Sequence, residues 1–460
     1  MKDNRDAIDC ATEPVGHLFR QLLVPTVVGM LSIVILNLTD GAFVGHGTGA
    51  DGLAAINIAA PIFNILSGIG IMFGIGSSIV ISIHLSRGET KAANINVTQA
   101  FIGCLSITLV CCALMLSNLA GTCRLFGSSE TLLPLASGYL KWISIGSPLM
   151  ILHMMGTFLI RLDGSPKYAM ATSIVGTVLN IFLDWLFIFP LGWGLAGAAK
   201  ATAISFGIAG LMVAWYFVFM PQTLRLYRLK ATMKSLRLTL RNLGYQMKMG
   251  FSAMLGEIAV CGAVIAGNYI FVHYLGDAGV AAYSVACYCF PVIFMTANAI
   301  VESAQPIVSF AYGVNNAARL GESRRLMMRW AVGAGLVCGV LMIVCAPLVT
   351  MLFLDKSEAA YDICVKGLPF FGTGVLFITL NVVTVGYLQS VEQSLKATLF
   401  TLLRGYIFVI PSFILMPRLL GEAGMWLAIP FAEALTFIII VTSAVLTSKL
   451  PAIKKSGQEL

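Results

Sequence analysis

The chain has 460 residues, 58% of them hydrophobic and only 11% charged, with a formal net charge of +8 and a mean hydropathy of +0.89. A soluble globular protein carries about 25% charged residues. The composition therefore excludes a soluble fold and indicates a polytopic membrane protein.

Residues 1–16 are polar, with Asp3, Asp6, Asp9 and Glu13. They lack the basic start and short apolar run of a signal peptide, so insertion is expected to begin with the first spanning helix. Twelve apolar runs of about 20 residues or more follow, the length an α-helix needs to cross a bilayer. They lie near Leu22–His46, Leu53–His84, Val97–Leu119, Tyr139–Ile160, Tyr168–Pro190, Ala196–Met220, Met249–Tyr274, Val280–Tyr312, Trp330–Phe353, Leu368–Leu388, Ala397–Met416 and Met425–Leu446. Prolines inside several spans, Pro25, Pro61, Pro148, Pro291 and Pro306 among them, remove backbone donors and favour kinks.

Of the 29 Lys and Arg, 23 fall in the connections on one side of this map, and six on the other: Arg124, Lys141, Lys200, Lys356, Lys366 and Arg418. The positive-inside rule puts the basic side, and with it both termini, in the cytoplasm of a plasma (inner) membrane. A nucleic-acid surface is the competing reading, but topology already accounts for the charge. The eleven cysteines show no zinc spacing and read as buried small hydrophobes.

The basic stretch 221–246 divides the chain into two six-helix halves, expected at 17–220 and 247–448 between tails 1–16 and 449–460. The halves resemble one another at an offset of about 228: Phe43-Val44 matches Phe271-Val272. Gly49-x-x-Gly52-x-Ala54-Ala55 matches Gly276-x-x-Gly279-x-Ala281-Ala282, and Pro190…Gly194…Gly197 matches Pro417…Gly421…Gly424. An even number of helices in each half keeps both copies in one orientation. The result is a parallel repeat about an axis along the membrane normal, an arrangement used by alternating-access transporters.

Acids inside the spans are the candidate functional groups, because a carboxylate in hydrocarbon costs several kcal/mol (about 2.5–3.5 on insertion scales) unless it faces protein or a wet cavity. Asn180 and Asp184 are four apart on helix five and share a face; Ala198 and Thr202 do the same on helix six; Asp40 follows Asn37 and Thr39 on helix one. If these helices meet, two carboxylates, an amide oxygen and a hydroxyl suit either Na⁺ or a proton. The competing reading for Asp184 is a satisfied interhelical hydrogen bond. Glu257, Glu302 and Glu433 are further intramembrane acids, with Arg404 a cation able to neutralise any of them. His153 reads as hydrogen-bonded and Asp163 as a turn former. The 21 Met and 27 Phe residues supply soft apolar walls, as they do in any such protein.

Pro25, Asp40-Gly-Ala-Phe-Val-Gly45 with Gly52-x-Ala54-Ala55, Asn180-x-x-x-Asp184, Gly194-x-x-Gly197-Ala198-x-x-x-Thr202 and Gln305-Pro306 together resemble the multidrug and toxic compound extrusion (MATE) transporters of bacterial or archaeal type. The resemblance implies an all-α membrane protein of twelve helices in two lobes around a V-shaped cavity, exporting amphipathic cations against inward Na⁺ or H⁺. It implies that Asp40, Asn180, Asp184, Thr202 and the Ala198 carbonyl form the cation site of the first lobe, with Na⁺ a candidate occupant. Helix one would bend at Pro25, and Glu257 would be a second-lobe acid for coupling or substrate, its competing role being an ion pair with Arg404. It further implies no cofactor beyond the coupling ion and no partner subunit. Ser412 stands at the repeat position of Asp184, so the site is expected in one half only. No P-loop, HExxH or GxSxG is present, which excludes an ATP-driven pump or a hydrolase of those kinds. The alternative is a lipid-linked oligosaccharide flippase of the same superfamily, in which a cationic rather than an acidic cavity is expected.

Overall fold

The computed structural model describes residues 10, 12–126 and 128–449, with the backbone alone for 49–51, 53, 54, 57 and 446–449. Most of both expected tails lies outside them, and Gly49 and Ala54 of the repeat motif are described by backbone only. In lipid the backbone must satisfy its own hydrogen bonds, so each apolar run is a helix. Exposed Val24, Leu31, Ile35, Val110, Leu114, Leu211 and Val337 give those helices a lipid-facing side.

The spans are α1 (Val15–Thr48), α2 (Ile58–Ser86), α3 (Thr90–Ser117), α4 (Leu133–Leu162), α5 (Pro166–Ile188) and α6 (Gly194–Phe219). Then come α7 and α8, the arms of the run Met233–Gly313 on either side of Gly276. They are followed by α9 (Ala317–Val344), α10 (Ala359–Gly372 continued by Val375–Ser390), α11 (Ser394–Leu420) and α12 (Glu422–Lys449). An 81-residue helix would be about 120 Å long, several bilayers' worth, so Met233–Gly313 has to reverse. It does so at Gly276, whose φ of 62° only a residue without Cβ adopts freely. Among the described residues ten helices are long and apolar enough to span. Division of the longest at Gly276 and inclusion of the pair that forms α10 make twelve, as the sequence predicts.

Contacts fix the directions. Gly29 of α1 meets Met170 and Ser173 at the start of α5, and Phe43 meets Phe189 beyond its end, ring centroids 5.8 Å apart. Gly70 of α2 meets Ile151 and Met154, and Gly74 meets Phe158. Thus α1 runs with α5 and α2 with α4. Since α4 and α5 are joined by a short turn, α1 and α2 are antiparallel.

The repeat is visible in the backbone. Left-handed φ values recur at Gly88 and Asn315, Gly164 and Glu392, and Gly194 and Gly421. Close helix packing recurs as well, with Gly146 against Ala203 in one half and Gly374 against Pro430 in the other.

Several boundaries differ from expectation, for identifiable reasons. Pro347 ends α9 early; Val344 is its last residue and a separate short helix, Ala346–Met351, opens with the proline in its first turn. The two parts of α10 meet at a 46° bend a few residues after Pro369. A π-helical turn, Leu403–Ile407, interrupts α11 at Arg404. The basic connection is shorter than the expected 221–246, because α7 begins at Met233. Its first turns extend past the membrane and bury Thr239 and Gln246 against α3, where Gln246 Nε2 donates to Asn96 Oδ1 (3.0 Å).

Two apolar cores form, one among α2–α6 with Val44 of α1 and one among α7–α12. Val15, Leu18, Phe19, Leu22 and Leu23 belong to the second, Phe19 lying 5.8 Å from the Trp330 ring of α9. Helix α1 therefore starts in the core of the second half and ends against the first.

Candidate functional site

Side chains of α1, α4, α5 and α6 meet toward the face opposite the basic connections. The one-face spacing of Asn180 and Asp184 buries both completely, each 0% exposed. Gly197 lets α6 close onto Phe187 of α5, which sets Ala198 and Thr202 against that face. With its nitrogen turned toward Asp184, the Asn180 amide donates to Asp184 Oδ2 (2.9 Å), and its oxygen accepts from the Thr202 hydroxyl and backbone N–H, both at 3.2 Å. In the opposite orientation Asn180 Nδ2 donates to Thr202 Oγ1 (3.2 Å), leaving the Thr202 hydroxyl to donate to the Ala198 carbonyl (3.1 Å).

Asp40 of α1 faces Asp184 closely enough for their charges to act on one another. Asp40 Oδ1 and Asp184 Oδ1 are both buried without a hydrogen-bond partner. Two neighbouring carboxylates with unsatisfied oxygens repel when both are ionised, and a monovalent cation between them relieves the repulsion. The oxygen-only donor set fits a hard cation such as Na⁺ as well as a proton. Tyr139 of α4 lies close enough for the charges of both carboxylates to act on it. Sequence reading missed it, because a tyrosine near a span end is also what the membrane interface favours. The five residues named from the sequence do come together. Among the described residues no group of three or more His, Cys, Asp or Glu side chains is placed to hold a metal.

The second half is built differently. Asn268 and Ser412 stand where the repeat would put Asp40 and Asp184, and Asn268 Oδ1 is buried without a partner. Arg404 does not pair with Glu257. It binds Glu433 of α12 through Nη2 (2.6 Å) and Nε (3.1 Å), and Asn381 of α10 completes the cluster with a 2.7 Å bond to Glu433. Arg404 lies within the π-helical turn Leu403–Ile407, and its guanidinium is turned toward α12. Glu302 pairs with Arg161 across the halves, although the sequence places Arg161 in a turn. Glu257 lies within reach of Glu302's charge. His153 is hydrogen-bonded to Thr172 (3.2 Å), as expected.

The family model described as MatE matches the chain twice, at residues 25–186 and 252–414, once in each half. The multidrug export protein MepA of Staphylococcus aureus (strain MRSA252) is 24% identical over 428 residues, 92% of this chain and 92% of that protein. MepA of Staphylococcus saprophyticus is 25% identical over 423 residues, 91% of each. An outward-facing multidrug resistance MATE family transporter of the MOP superfamily superposes with a TM-score of 0.87 at 20% identity, over 95% of this chain and 97% of that one. A MATE crystal structure in the straight conformation gives 0.86 at 20% identity, over 95% and 98%. At these identities the structural likeness is one of fold.

Proposed function

We propose that this chain, which belongs to the MatE family, is a secondary active multidrug exporter that expels amphipathic, mostly cationic compounds in exchange for H⁺ or Na⁺. The observation that carries the reading is the facing pair Asp40 and Asp184, buried with an unsatisfied oxygen on each. The multidrug export relatives support the substrate class. The basic face is cytoplasmic in this reading, in an inner membrane, and the protein works as a monomer.

Entry of one cation between the two carboxylates removes their repulsion and draws the far half of α1 onto α5. The other end of α1 is held in the second half's core, so the approach bends α1 near Pro25, narrows the cavity and releases drug. Loss of the cation on the cytoplasmic-facing side reverses the bend and readies the cavity for drug. The Asn180 amide holds Asp184 Oδ2 and is itself held by Thr202. Glu257 serves as the second half's acid for substrate or coupling. The acids of the core speak against the flippase alternative.

Dye efflux from proteoliposomes, with ΔpH and ΔNa⁺ imposed separately, tests the proposal. Asp184→Asn is expected to abolish ion-driven efflux while leaving the protein monodisperse; efflux at the wild-type rate would sink it. Glu257→Gln is expected to reduce transport of cationic dyes more than neutral ones, and equal losses would make Glu257 structural.

A further inference from the structure

A cavity of about 540 Å³ opens on the basic face between α3, the connection after α6 and the first turns of α7. Lys91, Arg228, Lys230, Lys234 and Arg241 line it, and none of its lining residues is acidic. Its one histidine, His84, is held by Glu89 at 2.6 Å. Positive-inside topology explains why cations lie on this face. It does not explain why five of them converge on one concavity, where they repel one another without a resident counter-charge.

The walls are built rather than loose. The backbone N–H groups of Arg225 and Tyr227 donate to Asn94 Oδ1 (2.8 Å) and Thr98 Oγ1 (2.7 Å), which pins the connection to α3. Gln99 bonds Thr239 (2.9 Å) and Asn242 (3.0 Å), which pins α7 to the same helix. Lys91 Nζ sits 5.9 Å from the Tyr227 ring centroid. Among the lining residues Ile95, Leu229 and Leu238 are apolar, and Leu238 is 40% exposed. Cations around a concavity whose wall also carries apolar side chains match a lipid, its phosphate among the cations and its chains against those side chains.

The repeat contains an echo. A cavity of about 560 Å³, lined by Arg319, Arg325 and Arg329 with Glu322, lies where α9 meets the start of α1. Arg319 stands 228 residues after Lys91, and its Nε is buried without a partner.

We infer that the cavity between α3 and α7 is a binding site for the phosphate headgroup of an anionic membrane phospholipid. The site links the inter-half connection to the lipid around it and stands independently of the coupling-ion assignment.

The test uses the purified full-length protein in detergent, titrated with phosphatidylglycerol, phosphatidylcholine or inorganic phosphate and read by native mass spectrometry of lipid-bound species. Lys234→Gln/Arg241→Gln is expected to weaken phosphatidylglycerol binding about thirtyfold, from about a fivefold contribution per surface cation. The control Lys248→Gln/Lys396→Gln removes equal charge from the same face outside the cavity and is expected to bind as wild type, with phosphatidylcholine unaffected throughout. Equal losses in both double variants, or a loss in neither, would overturn the site. Competition by inorganic phosphate at the phosphatidylglycerol concentration would overturn its assignment to a lipid.

Discussion

The Ser78 hydroxyl donates to Gln305 Oε1 at 3.0 Å, and these residues, 227 apart, are equivalent positions of the two halves. The repeat axis therefore passes between α2 and α8, where Gly313 likewise lies against Ser86, its own counterpart. The hydrogen bonds Ser82 to the Pro306 carbonyl (3.2 Å) and Gln246 to Asn96 (3.0 Å), with the Arg161–Glu302 pair, tie the halves together toward the basic face.

Closure on this side depends on backbone meeting backbone. A Cβ on Gly76 would run into the Gln246 carbonyl, and one on Gly250 into that of Met72. Gly76→Val is expected to cost the closed arrangement about 1–3 kcal/mol, enough to shift its population by about 5- to 150-fold. Spin-label distances across the basic face should lengthen and efflux should fall, with Asp40 and Asp184 untouched. Unchanged distances would show that the interface accommodates the side chain elsewhere.

Arg161 and Glu302 pair across the halves with side chains 10% and 12% exposed. Removal of one partner strands the other in a low-dielectric interface, so Glu302→Gln should destabilise by about 3–5 kcal/mol. Arg161→Met/Glu302→Met should recover much of that loss. A thermal-stability double-mutant cycle reads the coupling; additive losses would show the two charges to be independent.

Asp163 does more than form a turn. Its carboxylate accepts from the backbone N–H groups of Gln222 (2.8 Å), Thr223 (2.7 Å) and Leu224 (2.7 Å), and from the Tyr216 hydroxyl (2.8 Å). It thereby fastens the inter-half connection to the α4–α5 turn. Asp163→Ala leaves those donors to water or unpaired, at about 1–3 kcal/mol for each one that stays buried. Hydrogen exchange at 222–224 should accelerate and thermal stability should drop. Protection at wild-type levels would show that another acceptor takes over.

Outside the membrane, Arg124 binds Glu130 through Nε (3.0 Å) and Nη2 (3.2 Å). These hydrogen bonds, and then the guanidinium charge, hold the Glu130 carboxyl below the usual glutamate range. A lowered folded-state value means that the pair's small contribution is present above the unfolded-state pKa and is lost as pH falls through the folded one. The Glu130 titration midpoint, followed by NMR, should rise in Arg124→Gln and in 1 M salt. An unmoved midpoint would show that the bonds do not persist in solution.

Period, length and charge placement made twelve spans and a two-half repeat legible, because the bilayer imposes one length and one polarity on every crossing. The spacing of Asn180 and Asp184 likewise exposed half of the candidate site. What stayed hidden was partnership. Arg404 had three acids within its possible reach, and the packing that pairs it with Glu433 from a π-helical turn is unreadable from residue type. Arg161 and Glu302 lie 141 residues apart and meet only because the halves close on the axis. Tyr139 reaches the carboxylates through helix packing that no local pattern encodes.

Helix α1 has its first turns in the core of α7–α12, through Phe19, Leu22 and Leu23, and its last turns against α5, through Phe43 and Asp40. It is a strut anchored at one end in each half, and Pro25 lies just beyond the first anchor, where one backbone hydrogen bond is missing. A strut so mounted converts angle into curvature. Whatever changes the spacing of the halves also changes the approach of Asp40 to Asp184, and whatever occupies that gap pushes back on the angle. Chemistry and motion thus share one mechanical element, which carries force in both directions.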